Sequence, residues 1–285
     1  MTVGRVLRQA PLTAKIGLIL IALNLVAVVF APWIAPYGET QVVGDQWLPG
    51  FWDHASMPDG IYALLGTDQL GRDIFSRLVY GARNSILIAL GTTALSFTVG
   101  VTTGMVAATA RGVVDQIMSR IVDILMGFPT LIFALLLLAV LGSSIPVLIG
   151  VIALLDATRV FRLSRALGMD LEAQDYVELA RLRGERIGWI VLHEILPNAT
   201  GPLAAEFGLR FCFVFLFIAT LSFLGLGIQP PMADWGSMVR ENASAISFGI
   251  LTPLFPAAAI AILTVAVNLV VDWFIRFTGD AHHGR

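Results

Sequence analysis

Residues 17–36, GLILIALNLVAVVFAPWIAP, carry no charged side chain over their whole length. A helix needs about 20 mostly apolar residues to cross the hydrocarbon core of a bilayer. In lipid its backbone must satisfy its own hydrogen bonds. The stretch therefore reads as a membrane helix over 16–36. No convincing small-residue cleavage site follows it, so a retained helix is expected rather than a signal peptide. The same signal returns five times, at about 84–110, 121–141, 145–163, 202–227 and 248–275. Composition agrees, with 57% of the 285 residues hydrophobic, 13% charged and a mean hydropathy of +0.82. Soluble domains carry roughly a quarter of charged residues. The expected class is all-α, a polytopic membrane protein with six transmembrane helices and no internal repeat.

Several function classes drop out on chemistry. A net charge of −2 without a basic run gives nucleic acid nothing to bind. The one cysteine, Cys212, lies in the apolar run FCFVFLF and has no partner for an internal disulfide. His54, His193, His282 and His283 show no metal-ligand spacing, and Ser143 and Ser144 have no base nearby in sequence. No GxxxxGK[ST] phosphate loop occurs, and Lys15 is the only lysine. The chain is therefore not expected to bind ATP in the P-loop manner, and no catalytic constellation is visible.

Arginine placement sets the orientation. Of the 18 lysines and arginines, all but Arg72, Arg77, Arg83, Arg210 and Arg240 fall on one side of the six spans. That side holds the N-terminal tail (1–15), the 111–120 turn, the 159–198 segment and the C-terminal tail (277–285), with Arg276 at its edge. The positive-inside rule makes it cytoplasmic, with both termini there. Residues 37–83 form an extracytoplasmic segment, and 84–276 hold the remaining five helices with a charged loop at about 164–200.

That loop contains YVELARLRGERIGWIVLHEILPN (176–198), with Glu178, Arg181, Arg183, Glu185, Arg186, His193 and Glu194 in an otherwise oily chain. Leu, Ala, Glu and Arg favour a helix over 176–183. Gly184 suits a sharp turn. Ile187, Ile190, Val191 and Glu194 follow at helical spacing, and Leu196-Pro197 is expected to end the unit. This helix–glycine–helix elbow offers a surface to a soluble partner; a solvated loop is the plainer alternative.

Glu178-Leu179-Ala180, Gly184 after three intervening residues, and then Leu196-Pro197 resemble the EAA loop of ABC importer permeases. Leu179 stands where that motif has its middle alanine, and Glu194 where isoleucine is common. LLGTDQLGRDIFSRLVYGARNSI (64–86), VVDQIMSRIVDILMGFPT (113–130) and LSFLGLGIQPPMADWG (221–236) are similar to segments of the C-type subunits of dipeptide, oligopeptide and nickel importers. The resemblance runs over most of the chain from residue 64 onward. It implies a type I ABC importer permease fold in a bacterial inner membrane and a heterodimer with a sister permease. It also implies two cytoplasmic ATPases that bind the ATP and Mg, and an extracytoplasmic binding protein that delivers peptide. Glu178, Ala180, Gly184, Ile187, Leu196 and Pro197 would then couple to the ATPase. Nickel, an opine or a glycoside are alternative cargoes.

Other charges have two readings each. Asp156 and Arg159, three apart, and Glu206 and Arg210, four apart, can pair within their own helices. As intramembrane charges they are also candidates for a gate or pathway. Asp68, Arg72 and Asp73 in a turn-rich element brace the bundle or touch the binding protein, as do Pro231, Asp234 and Trp235. Ile74, Phe75, Leu78 and Val79 give an apolar face for an interfacial helix before residue 84. Pro230-Pro231 is expected to be extended. Gly100 and Gly104 in GVTTG let two helix backbones approach. A secondary transporter or channel would place buried acids at the midplane, and an intramembrane enzyme would need a reactive dyad; neither pattern appears.

Overall fold

The computed structural model describes residues 10–51 and 63–283, with side chains described to Phe277. Expectations for Arg5, Arg8, His54, Arg285 and the side chains of His282 and His283 lie outside that range. Among the described residues the regular structure is helical, and β pairing is confined to the isolated bridges Val42–Arg72 and Thr67–Asp73.

The helices are α1 (Leu12–Ile34), α2 (Ile74–Ala110), α3 (Gly112–Met126), α4 (Thr130–Leu141), α5 (Ile145–Glu172), α6 (Asp175–Leu182) and α7 (Ile187–Ile190). A π turn (Val191–Ile195) leads into α8 (Leu196–Phe223); α9 (Trp235–Glu241), a 3₁₀ turn (Ala243–Phe248) and α10 (Leu254–His283) follow. Four helical stretches are long and apolar enough to cross a bilayer unaided: α1, α2, the run Ile187–Phe223 and Leu254–Phe277 of α10. The α3–α4 pair, bent by 87°, is long and apolar enough only when taken together, as a broken span or a re-entrant loop. The expected single span over 121–141 is therefore broken. A residue before proline, here Phe128, is disfavoured in the helical region, and Pro129 has no N–H to continue the ladder. α5 is 28 residues long but carries Asp156, Arg159 and Arg162 in its apolar stretch.

Two compact units organise the described chain. The first takes the residues up to Leu90, Ser143–Leu148 and Phe215–Trp273. In it α1 lies against α10, since a Cβ on Gly17 would fall 2.7 Å from the Ala266 carbonyl oxygen. α2 begins at Ile74, ten residues earlier than the sequence suggests, so its first turns are the segment read as an interfacial helix. Ile74 and Val79 are buried, so this face packs on protein. Asp73 caps the helix, its carboxylate accepting from the Ser76 N–H at 2.8 Å and hydroxyl at 2.6 Å. Burial pushes the Asp73 pKa up against those bonds.

The second unit takes Gly91–Gly142, Ile149–Val214 and the chain from Phe274. α2 and α5 touch backbone to backbone there, as the Gly100–Gly104 spacing predicts. A Cβ on Gly100 would lie 2.6 Å from Val160 Cβ, and one on Gly104 would lie 2.7 Å from the Phe161 carbonyl oxygen. The Ser164 hydroxyl adds a bond to the Gly100 carbonyl at 3.2 Å. Phe97 of α2 meets Phe207 of α8 edge-on at 5.1 Å.

Candidate functional site

The charged loop folds as an elbow with its own apolar core. α6 ends in a Schellman cap: the Gly184 N–H donates to Arg181 O at 2.9 Å and the Glu185 N–H to Ala180 O at 3.2 Å. Gly184 takes φ +81°, the left-handed conformation this cap requires. The chain turns back through α7, so that Val177 and Ala180 pack with Ile190, Ile195 and Ala199, joined by Met105 of α2 and Leu203 of α8. Arg183 closes the elbow from outside, 3.4 Å from Glu194 and over the Trp189 ring. Burial raises the pKa of the Tyr176 phenol, with Glu194 adding to the effect.

Leu196-Pro197 does not end the unit. The Leu196 N–H reaches back five residues to Val191 O, and the helix runs on through Pro197 to Phe223. The wider π turn precedes a residue that lacks an N–H and would crowd a regular turn. Of the six residues expected to couple, Ala180 is core, Leu196 is half-buried, and Glu178, Gly184, Ile187 and Pro197 face out. Leu179 and Leu182, at 59% and 78% exposed, make the outer surface more apolar than the charges suggest. Large exposed apolar side chains on a polar segment mark an interaction surface.

Asp156 does not pair with Arg159. Its carboxylate accepts from the Ser96 hydroxyl of α2 at 3.0 Å and lies 3.6 Å from the Arg210 guanidinium of α8. Arg210 also binds Glu206 at 2.6 Å, the expected pair within one helix. Three helices of one unit thus meet at one cluster, with Asp156 buried and Glu206 and Arg210 half-buried. Arg159 is exposed and donates to the Thr130 hydroxyl at 3.3 Å.

The candidates expected on the extracytoplasmic side are mostly spoken for. Asp68 accepts from Arg72 Nε at 2.7 Å and from Arg77 at 2.8 Å; Glu241 accepts from Arg72 at 2.8 Å and from Arg77 at 3.1 Å. Asp68, Arg72 and Arg77 are buried in this closed ring, and Glu241 is nearly so. Burial raises the Glu241 pKa despite Arg72 beside it. Asp234 caps α9 through the Ser237 N–H and takes the Ser85 hydroxyl, both at 2.8 Å, and burial raises its pKa too. Trp235 is buried; its Nε1–H donates to Leu78 O at 2.8 Å beside Gly81. Asp68, Arg72, Asp73, Asp234 and Trp235 therefore brace the fold, and of the expected contact residues only Pro231 is exposed. Its peptide bond to Pro230 is cis.

The family of binding-protein-dependent transport system inner membrane components matches residues 100–279. The di/tripeptide transport system permease protein DppC of Pseudomonas aeruginosa is 34% identical over 257 residues, covering 90% of this chain and 84% of its own. A putative peptide transport system permease protein of Brucella suis is 35% identical over 272 residues, covering 95% and 88%. The glutathione transport system permease protein GsiD of Pectobacterium atrosepticum is 32% identical over 256 residues, covering 89% and 82%. A crystallised amino acid ABC transporter with histidines aligns at a TM-score of 0.48 and 21% identity, over 71% of this chain and 94% of that one. The chain belongs to the binding-protein-dependent transport system inner membrane components, and it is a multi-pass membrane permease.

Proposed function

We propose that this chain is one transmembrane subunit of an ATP-driven importer that takes up di- and oligopeptides delivered by an extracytoplasmic binding protein. The observation that carries the reading is the elbow. It is a self-cored polar unit between α5 and α8, with Leu179, Leu182 and Ile187 turned outward beside Glu178. The names of the relatives above support peptide as cargo. The chain itself hydrolyses nothing: two cytoplasmic ATPases hold ATP and Mg, a sister permease completes the pathway, and α5 serves as the sixth span. Both termini and the elbow are cytoplasmic in the bacterial inner membrane. ATP-driven closure of the ATPases moves the elbow and biases the spans between inward and outward states, a coupling of two sites through a shared two-state element. The Asp156–Arg210–Glu206 cluster, with Arg159 nearby, acts as a gate. On the outer side Pro231 is left as the contact for the binding protein.

Replacing Gly184 tests the elbow. A Cβ there meets nothing within 4 Å, so the cost to the chain itself is the left-handed backbone, about 1–2 kcal/mol. Gly184→Leu should insert normally, lose ATPase co-purification and abolish uptake of a labelled dipeptide. Wild-type uptake by this variant would overturn the coupling role.

A further inference from the structure

Glu172 is a buried carboxylate that the sequence does not single out. It closes α5, and its side chain is 1% exposed. Two arginines from different parts of the chain converge on it. Arg111, at the corner between α2 and α3, donates through Nε at 2.8 Å. Arg181, on the elbow helix α6, donates through a terminal nitrogen and also reaches the Thr109 carbonyl at 3.4 Å, near the end of α2. The arginines are 65% and 38% exposed, so water covers their outer faces while the acid they share is sealed. Charge-assisted bonds to a desolvated carboxylate are the strong kind.

A second observation marks the same spot. Arg111 has φ 49° and ψ −176°, a backbone conformation that residues with a side chain rarely adopt. Gly112 follows at φ +61°. The glycine is suited to its conformation and the arginine is not. What an arginine adds at this corner is the bond to Glu172.

The elbow has two covalent continuations, α5 ahead of it and α8 behind it. The α2–α3 corner is continuous with neither. Through Glu172, the elbow helix, the end of α5 and that corner are tied at one point. We infer that Glu172 is a positioning residue that carries displacement of the elbow to the α2–α3 corner, with Arg111 and Arg181 as its two arms. Glu172 touches neither the exposed apolar surface of the elbow nor the Asp156 cluster. Its loss therefore separates two steps: the ATPases still dock and turn over, but the spans follow them poorly. The inference rests on the coupling role proposed for the elbow.

The test uses the assembled importer in proteoliposomes with its binding protein, reading labelled dipeptide transported per ATP hydrolysed. Arg111→Gln removes one exposed arm and leaves Glu172 paired with Arg181. It should assemble with its ATPases, keep its basal ATP hydrolysis and lower the transport-to-ATP ratio about tenfold, within the usual range of coupling between sites. Glu172→Gln should lower the ratio at least as much, and the double variant should be no worse than Glu172→Gln alone, because both changes break one link. Arg111→Lys should recover part of the loss. An unchanged ratio in Arg111→Gln, or additive losses in the double variant, overturns the inference. Gly184→Leu, run alongside, separates the failures: if it loses ATPase association while Arg111→Gln stays coupled, the elbow role stands and the Glu172 link falls.

Discussion

Arg77 is 1% exposed and divides its guanidinium between Asp68 and Glu241. Arg72 does the same from the other side, so two acids and two cations close on each other inside the protein. Such a ring adds little net stability when whole, because desolvating four charges offsets most of their attraction. Breaking it is another matter. Arg77→Ala leaves two buried carboxylates sharing one guanidinium, and should destabilise the protein by about 3 kcal/mol. Arg77→Lys should recover only part of that, since a point charge cannot fork between two acids. Thermal unfolding in detergent measures both, and a wild-type transition for Arg77→Ala would show that the ring contributes nothing. The sequence places Asp68, Arg72 and Asp73 in a turn-rich element and leaves open whether they brace or bind. What decides for bracing is Glu241, 169 residues beyond Arg72, and no local pattern announces a partner so distant. Glu172 and Arg111, 61 residues apart, were hidden for the same reason.

At the scale of elements, the α2–α5 contact rests on glycines. A methyl on Gly100 would overlap Val160 Cβ and the Ala157 carbonyl, at 2.6 and 2.8 Å. Gly91, on the same helix, has nothing within 4 Å of its Cβ position. Gly100→Ala should therefore cost about 1–3 kcal/mol through overpacking, against the helix propensity it gains. Gly91→Ala should gain up to about 1 kcal/mol from propensity alone. Unfolding midpoints for the pair check this, and equal effects from both would dismiss close packing as the reason for Gly100. The small-residue spacing made this contact readable before any coordinates. Two other elements resisted, both at prolines. Residues 121–141 are apolar enough for one span, but Phe128-Pro129 bends them by 87°. Leu196-Pro197 looks like a terminator, yet the π turn before it lets the helix continue. A proline removes one donor, and whether the helix breaks or widens around it depends on packing that sequence alone does not carry.

For the whole molecule, the side of the membrane on which the elbow lies and the number of crossings are one question. Starting from a cytoplasmic N-terminus, α1, α2 and the α3–α4 pair carry the chain outward, inward and outward. Ser144, just before α5, is then outside. If α5 crosses, the elbow is inside, α8 brings Pro231 outside and α10 returns the C-terminus to the cytoplasm. If α5 does not cross, the elbow and every later segment exchange sides. Asp156, Arg159 and Arg162 are what make α5 the doubtful member by composition. Asp156 has partners on α2 and α8, and Arg162 binds Asp123 at 2.7 Å. Partnered charges cost a membrane helix less than bare ones, and the arginines of the 159–198 segment favour the inside. Both arguments support the six crossings proposed above. Cys212, the only cysteine, is buried, so introduced thiols report alone. An impermeant maleimide on spheroplasts should label Ser144→Cys and Pro231→Cys, both exposed positions. It should reach Leu182→Cys only after permeabilisation, although that site is 78% exposed in the chain. Labelling of Leu182→Cys from outside would remove α5 from the spans and put the elbow out of reach of any cytoplasmic ATPase.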